Sequence, residues 1–127
     1  MRILIMGGTR FIGVYLTKVL VDRAHEVVLF NRGNHPAPVE GVTQIQGDRK
    51  DATQLKEKLG NETFDAIFDN NGRELSDTQP LVDIFNGKVK HFVYVSSAGV
   101  YLKSSQMPHL EGDLVDPNSR HKGKYHT

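Results

Sequence analysis

The chain has 127 residues, 38% of them apolar and 24% charged, with 12 Gly, 5 Pro and no Cys. That length holds one domain rather than two, the apolar content excludes a disordered or low-complexity tail, and the lack of Cys excludes disulfides, thiolate nucleophiles and Cys-ligated metal centres. Sixteen Lys and Arg against 15 Asp and Glu give a net charge of +1, so no global field draws the chain to nucleic acid or an anionic membrane, although a local basic patch stays open.

In chain order, Arg2 to Met6 is a short apolar run stopped by Gly7-Gly8, the pattern of a buried parallel strand meeting a tight turn. Ile12, Leu16, Val19 and Leu20 follow at helical spacing, which predicts a helix to about Arg23 with those four on its inner face. Val27 to Phe30 is a second strand, ended by Asn31-Arg32-Gly33 and a Pro-containing loop; Val42 to Gln46 is a third. Asp51 then caps a helix carrying Leu55 and Leu59, Ala66 to Phe68 forms a fourth strand, and Ser76 and Gln79 stand at capping-box spacing before a helix with Leu81, Ile84 and Phe85. His91 to Val95 is the fifth strand. Asp116-Pro117 opens a last helix.

Strands alternating with helices predict an α/β fold, a doubly wound parallel sheet of Rossmann-like type. The expected strand order is 3-2-1-4-5, with the fifth strand at an edge through which the chain could self-associate. No apolar run approaches the length of about 20 residues that spans a bilayer, and Ile3 to Met6 is too short for a secretory signal. The expected location is therefore cytoplasmic, with no membrane partner.

Gly7-Gly8-Thr9-Arg10-Phe11-Ile12-Gly13 lies between the first strand and the first helix, where a doubly wound fold directs free backbone N–H groups and the positive end of a helix at an anion. A dinucleotide pyrophosphate is the expected ligand, although Arg10 stands where the middle glycine of the usual pattern belongs. Asn70, Asn71 and Gly72, at the end of the fourth strand, join the candidate cofactor-binding residues.

G-G-T-R-F-I-G after the first strand, G-D at 47–48 and V-Y-V-S-S-A-G-V-Y at 93–101 together resemble the extended short-chain dehydrogenase/reductase superfamily, the NAD-dependent epimerase/dehydratase group. More narrowly, G-D-R-K-D at 47–51, N-G-R-E at 71–74, S-S-A-G-V-Y-L-K-S at 96–104 and D-P-N-S-R-H-K-G-K at 116–124 resemble the chloroplast stem-loop binding proteins and their cyanobacterial relatives, a likeness covering nearly the whole chain. The resemblance implies an NAD(P)-binding Rossmann domain over residues 1–127 lacking the C-terminal substrate region, either a fragment or a natural truncation.

Within that expectation, the residue ending the second strand usually bears the carboxylate that selects NAD, but here it is Asn31, followed by Arg32. A guanidinium at that place pairs with a 2′-phosphate, and Arg10 could approach the same group, so NADP is expected over NAD. Arg32 as a solvated turn residue is the alternative. Asp48 matches the Asp that accepts from the adenine amino group in the resembled family, or else caps a turn.

By the same resemblance Ser97 aligns with the catalytic Ser, but no Tyr stands four residues before a Lys, the spacing that puts an acid–base pair on one helical face. Aligning Lys124 with the family Lys puts Arg120 at the Tyr position, and aligning Ser119 instead puts His121 there. Ser97, His121 and Lys124 are thus the candidate catalytic residues, with ordinary hydride transfer expected to be lost and His121 open to reading as a solvated surface side chain. The rival reading is RNA binding, since the resembled group binds RNA stem-loops and is described as a metal-assisted endonuclease; Arg120, His121, Lys122, Lys124 and His126 form a basic tail suited to phosphates. His109, Glu111 and the aspartates around 48 to 51 could bind a hard cation, but solvated carboxylates are the commoner case and no metal site is assigned.

Overall fold

The computed structural model of the chain describes residues 1–95. Its elements are β1 (Arg2–Met6), α1 (Ile12–Asp22), β2 (Glu26–Asn31), β3 (Thr43–Gln46), α2 (Ala52–Leu59), β4 (Ala66–Asp69), α3 (Leu75–Phe85) and β5 (His91–Tyr94). All strands run parallel in the order β3-β2-β1-β4-β5, as the spacing of apolar runs predicted.

The alternation of strand side chains splits the core in two. Ile3, Ile5, Val27, Leu29 and Ala66 point to one face, against Leu16, Leu20 and Val21 of α1. Leu4, Met6, Val28, Phe30 and Ile67 point to the other, where Leu55 and Leu59 of α2 and Leu81 and Phe85 of α3 cover them. β1 and β2 are thereby buried on both sides, which is why they read as continuous apolar runs. With β2 and β4 on its two sides, β1 sits where the winding direction reverses, and that reversal opens a crevice at the carboxyl ends of the strands.

Two helices differ from their sequence patterns. α1 presents Gly13 and Thr17 inward, while Ile12 and Val19 are 63% and 48% exposed. The helix is turned because Gly13 lies directly on Gly8: a Cβ on Gly13 would stand 2.8 Å from the Gly8 Cα. The Thr17 hydroxyl donates to the Gly13 carbonyl at 2.7 Å, so a polar residue sits comfortably in the seam. α3 begins at Leu75 rather than after Ser76, because Asp77, its third residue, accepts from the backbone N–H groups of Arg73 and Glu74 at 3.0 and 3.1 Å. Asp51 caps α2 as expected, accepting from Thr53 and Gln54.

Gly13→Ala is expected to lever α1 away from β1 and destabilise the fold by about 1–3 kcal/mol, the usual cost of overpacking against unyielding backbone. A urea unfolding midpoint equal to that of the wild type would show that the seam tolerates a methyl group.

Candidate functional site

The crevice has a volume of about 770 Å³ and is lined from both sides of the reversal point. All seven residues from Gly7 to Gly13 line it, as do Asn31, Arg32, Asn70, Asn71 and Gly72. Asp48 does not; it lies in a neighbouring hollow with Gln46, Gln54 and Lys58. Ser97, His121 and Lys124, together with the basic tail, lie outside the described residues.

The glycine loop is shaped by backbone needs. The chain must turn sharply after Met6, and Gly7 and Gly8 take φ of 95° and 87°, a region that side chains resist. The Gly7 N–H donates to the Phe30 carbonyl at 2.8 Å, continuing the sheet for one more bond. Beyond it, the N–H groups of Thr9, Arg10 and Phe11 meet no backbone carbonyl among the described residues, which leaves donors beside the positive end of α1. Phe11 itself takes φ of 51° and is 78% exposed, and the Arg10 guanidinium lies 4.9 Å from its ring's centre. A bulky residue with positive φ is an outlier of the kind that gathers at functional loops.

The β2 side of the crevice is already committed. The Asn31 side chain donates to the Gly7 carbonyl at 3.2 Å and accepts from the Gly33 N–H and from Gln44, so it braces the loop. Arg32 pairs with Asp48 at 3.7 Å, both side chains well exposed.

The β4 side holds a polar cluster that sequence reading missed. Asp69 is fully buried and accepts four hydrogen bonds: two from the Arg49 guanidinium at 2.5 and 3.0 Å, one from the Gly72 N–H at 3.0 Å and one from the Thr78 hydroxyl at 2.7 Å. Arg49, 8% exposed, also donates to the Asn71 side-chain oxygen at 2.6 Å and to the Asp77 carbonyl at 2.5 Å. The sequence carried half of the signal, since a carboxylate ending an apolar buried strand requires a partner, but nothing in it singles out Arg49 as that partner. Burial alone would push the Asp77 carboxyl up, but the Lys50 ammonium at 2.6 Å and the N–H groups of Arg73 and Glu74 outweigh it and hold the carboxyl below its usual value.

Among the described residues the lining includes Arg10, Arg32, Arg49, Lys50 and Arg73 and no carboxylate, but Arg32, Arg49 and Lys50 are paired with Asp48, Asp69 and Asp77 beside it, so Arg10 and Arg73 are the lining cations without an ion pair among the described residues. That arrangement suits an anionic ligand.

Residues 7–123 match a protein family described as NAD(P)H-binding. The chloroplast stem-loop binding protein of 41 kDa b from Arabidopsis thaliana, a chloroplastic protein, is 46% identical over 140 residues, covering 99% of this chain and 37% of that one. Among solved structures, UDP-glucose 4-epimerase from Bifidobacterium longum in complex with NAD+ and UDP superposes with a TM-score of 0.79 at 19% identity, covering 97% of this chain and 45% of the epimerase. The Bordetella bronchiseptica enzyme WbmG in complex with NAD and UDP gives 0.75 at 18% identity, covering 96% and 46%. The chain thus spans less than half the length of each.

Two expectations are corrected. A preference for NADP does not stand: the epimerase and WbmG structures hold NAD, and of the residues on which it rested Arg32 pairs with Asp48, Asn31 braces the loop and Arg10 lies over the Phe11 ring. A cytoplasmic location does not stand either, because the 46%-identical relative is chloroplastic.

Because the Asp77 carboxyl is held below its usual value in the folded state, its contribution to stability is complete at neutral pH and is lost as pH falls below about 4. Asp77→Asn is expected to be less stable than wild type at pH 7, with the difference narrowing as the solution is acidified. Parallel stability curves from pH 7 to 2 would contradict that assignment.

Proposed function

Given that the chain belongs to the NAD(P)H-binding family and is related to the NAD-dependent epimerase/dehydratase group, we propose that it holds an NAD-type dinucleotide in the crevice and forms part of a stem-loop RNA-binding protein, not a conventional hydride-transfer enzyme. The observation that carries the reading is 46% identity across 99% of the chain to a protein named for binding stem-loops.

In this reading the pyrophosphate sits against the N–H groups of Thr9, Arg10 and Phe11, which meet no backbone carbonyl among the described residues, where the turn at Gly7 and Gly8 keeps side chains out of the way. Asn70, Asn71 and Gly72 form the opposite wall, and Arg10 and Arg73 are the lining cations placed to offset the ligand's charge, since Arg32, Arg49 and Lys50 are paired with carboxylates. The dinucleotide supplies hydride chemistry where a protein provides a proton donor beside it. This chain has no Tyr-x-x-x-Lys pair, so Ser97 could orient a substrate oxygen but not exchange its proton, a deficit of about 10²–10⁴ in rate. RNA binding is favoured by the same relative, with the cations at the crevice and in the tail supplying the salt-sensitive phosphate contacts.

Titration with NAD, and separately with a short RNA stem-loop at two salt concentrations, tests both parts. The expected results are saturable NAD binding, and stem-loop binding that weakens markedly as salt rises from about 50 to 200 mM. Failure to bind NAD would overturn the crevice assignment. Failure to bind the stem-loop, or turnover of a UDP-sugar with NAD, would overturn the RNA reading.

A further inference from the structure

The Arg49 cluster joins three pieces of chain that meet only at the crevice. Arg49 belongs to the connection between β3 and α2, Asp69 and Asn71 to the end of β4 and the turn after it, and the Asp77 carbonyl to the first turn of α3. Asn71 is an exposed residue, yet its side-chain oxygen is held by the buried guanidinium. Its side-chain nitrogen lies 3.3 Å from the place a Cβ on Gly7 would occupy, so the side chain that Arg49 bonds stands beside the first residue of the glycine loop.

The cluster is poorly designed as a pure stabiliser. A buried ion pair returns little net free energy once desolvation is counted, and apolar replacements of similar size often do as well. Here the cost is higher still, because the Arg49 Nε–H is buried with no hydrogen-bond partner among the described residues. The strand order has its own support in the β1–β2 and β1–β4 ladders and the two apolar layers. What the guanidinium adds is geometry: one rigid, planar group bonded to three separate acceptors.

We propose that Arg49 is a positioning residue for the dinucleotide crevice, holding Asn71 against Gly7 so that the wall after β4 and the glycine loop keep their ligand-ready spacing. The inference rests on the dinucleotide reading above and deepens it. Arg49 acts through Asn71, and preorganisation of the wall is the gain.

Two variants separate positioning from stability. Arg49→Lys keeps a cation beside Asp69, but a single ammonium cannot serve Asp69, Asn71 and the Asp77 carbonyl in the same geometry. Arg49→Met/Asp69→Asn removes both charges while leaving an amide to serve Gly72 and Thr78. Melting temperature, NAD affinity by calorimetry and the backbone amide resonance of Gly7 without ligand are measured for each. The expected result is a near-normal melting temperature, NAD affinity weakened about tenfold and a displaced Gly7 resonance in both.

Affinity and Gly7 resonance equal to wild type in both variants would overturn the proposal. So would affinity losses that simply follow the melting temperature, with Lys restoring both. If these variants do not fold, Asn71→Ala, which leaves the ion pair intact, is expected to displace the Gly7 resonance in the unliganded protein; an unchanged resonance overturns the proposal. Absence of NAD binding by the wild type would overturn the dinucleotide reading and this inference together, whereas wild-type binding with unaffected variants overturns the inference alone.

Discussion

β4 ends in a carboxylate with no exposure to water, and a charge in that place is tolerable only because the Arg49 guanidinium, a backbone N–H and a hydroxyl surround it. Asp69 gathers those donors from three separate segments. Truncating Arg49 would leave a buried, unbalanced carboxylate, a change that typically costs about 3–5 kcal/mol. The strands supply the platform, but the shape of the opening above it depends on this one pairing, since the turn after β4 and the start of α3 both bond to it. Tyr94, at the end of β5, adds a hydrogen bond to the Gly72 carbonyl at 3.1 Å and so ties the neighbouring strand to the same turn.

The opposite half of the crevice is governed by close backbone approach. Gly8 has Leu29 within 2.6 Å of the place its Cβ would take, and Gly13 rests on Gly8, so the loop is compressed between β2 and α1. Compression of that kind leaves little room for adjustment, and just beyond it the N–H groups of Thr9 to Phe11 meet no backbone carbonyl among the described residues. One wall is therefore fixed by packing and the other by charge. Among the described residues the lining between them holds cations without carboxylates, although Arg32, Arg49 and Lys50 are paired with Asp48, Asp69 and Asp77 just outside it.

The sheet was legible because parallel strands buried on both faces leave unbroken apolar runs, and Ile3 to Met6 and Val27 to Phe30 are such runs. The rotation of α1 was not, because an apolar period counts Ile12 and Val19 and passes over Gly13 and Thr17, the residues the seam selects for small size. The start of α3 was misplaced for a related reason: Ser76 and Gln79 have the spacing of a cap, but Asp77 performs it. The glycine loop and Asn70 to Gly72 could be read from their positions after strands, whereas Arg49 could not, since G-D-R-K-D has the look of a solvated turn and its burial depends on where β4 ends. Arg32 was misjudged because the carboxylate that meets it, Asp48, comes from a different strand end.

The central claim is that the crevice between the glycine loop and the turn after β4 is the ligand site, and mapping of backbone amide resonances during NAD titration tests it most directly. The account predicts that the shifts concentrate at Gly7 to Gly13 and Asn70 to Arg73, with Asp48 and the outer face of α2 little changed. Shifts scattered over the surface, or centred on the hollow around Asp48 and Lys58, would contradict it.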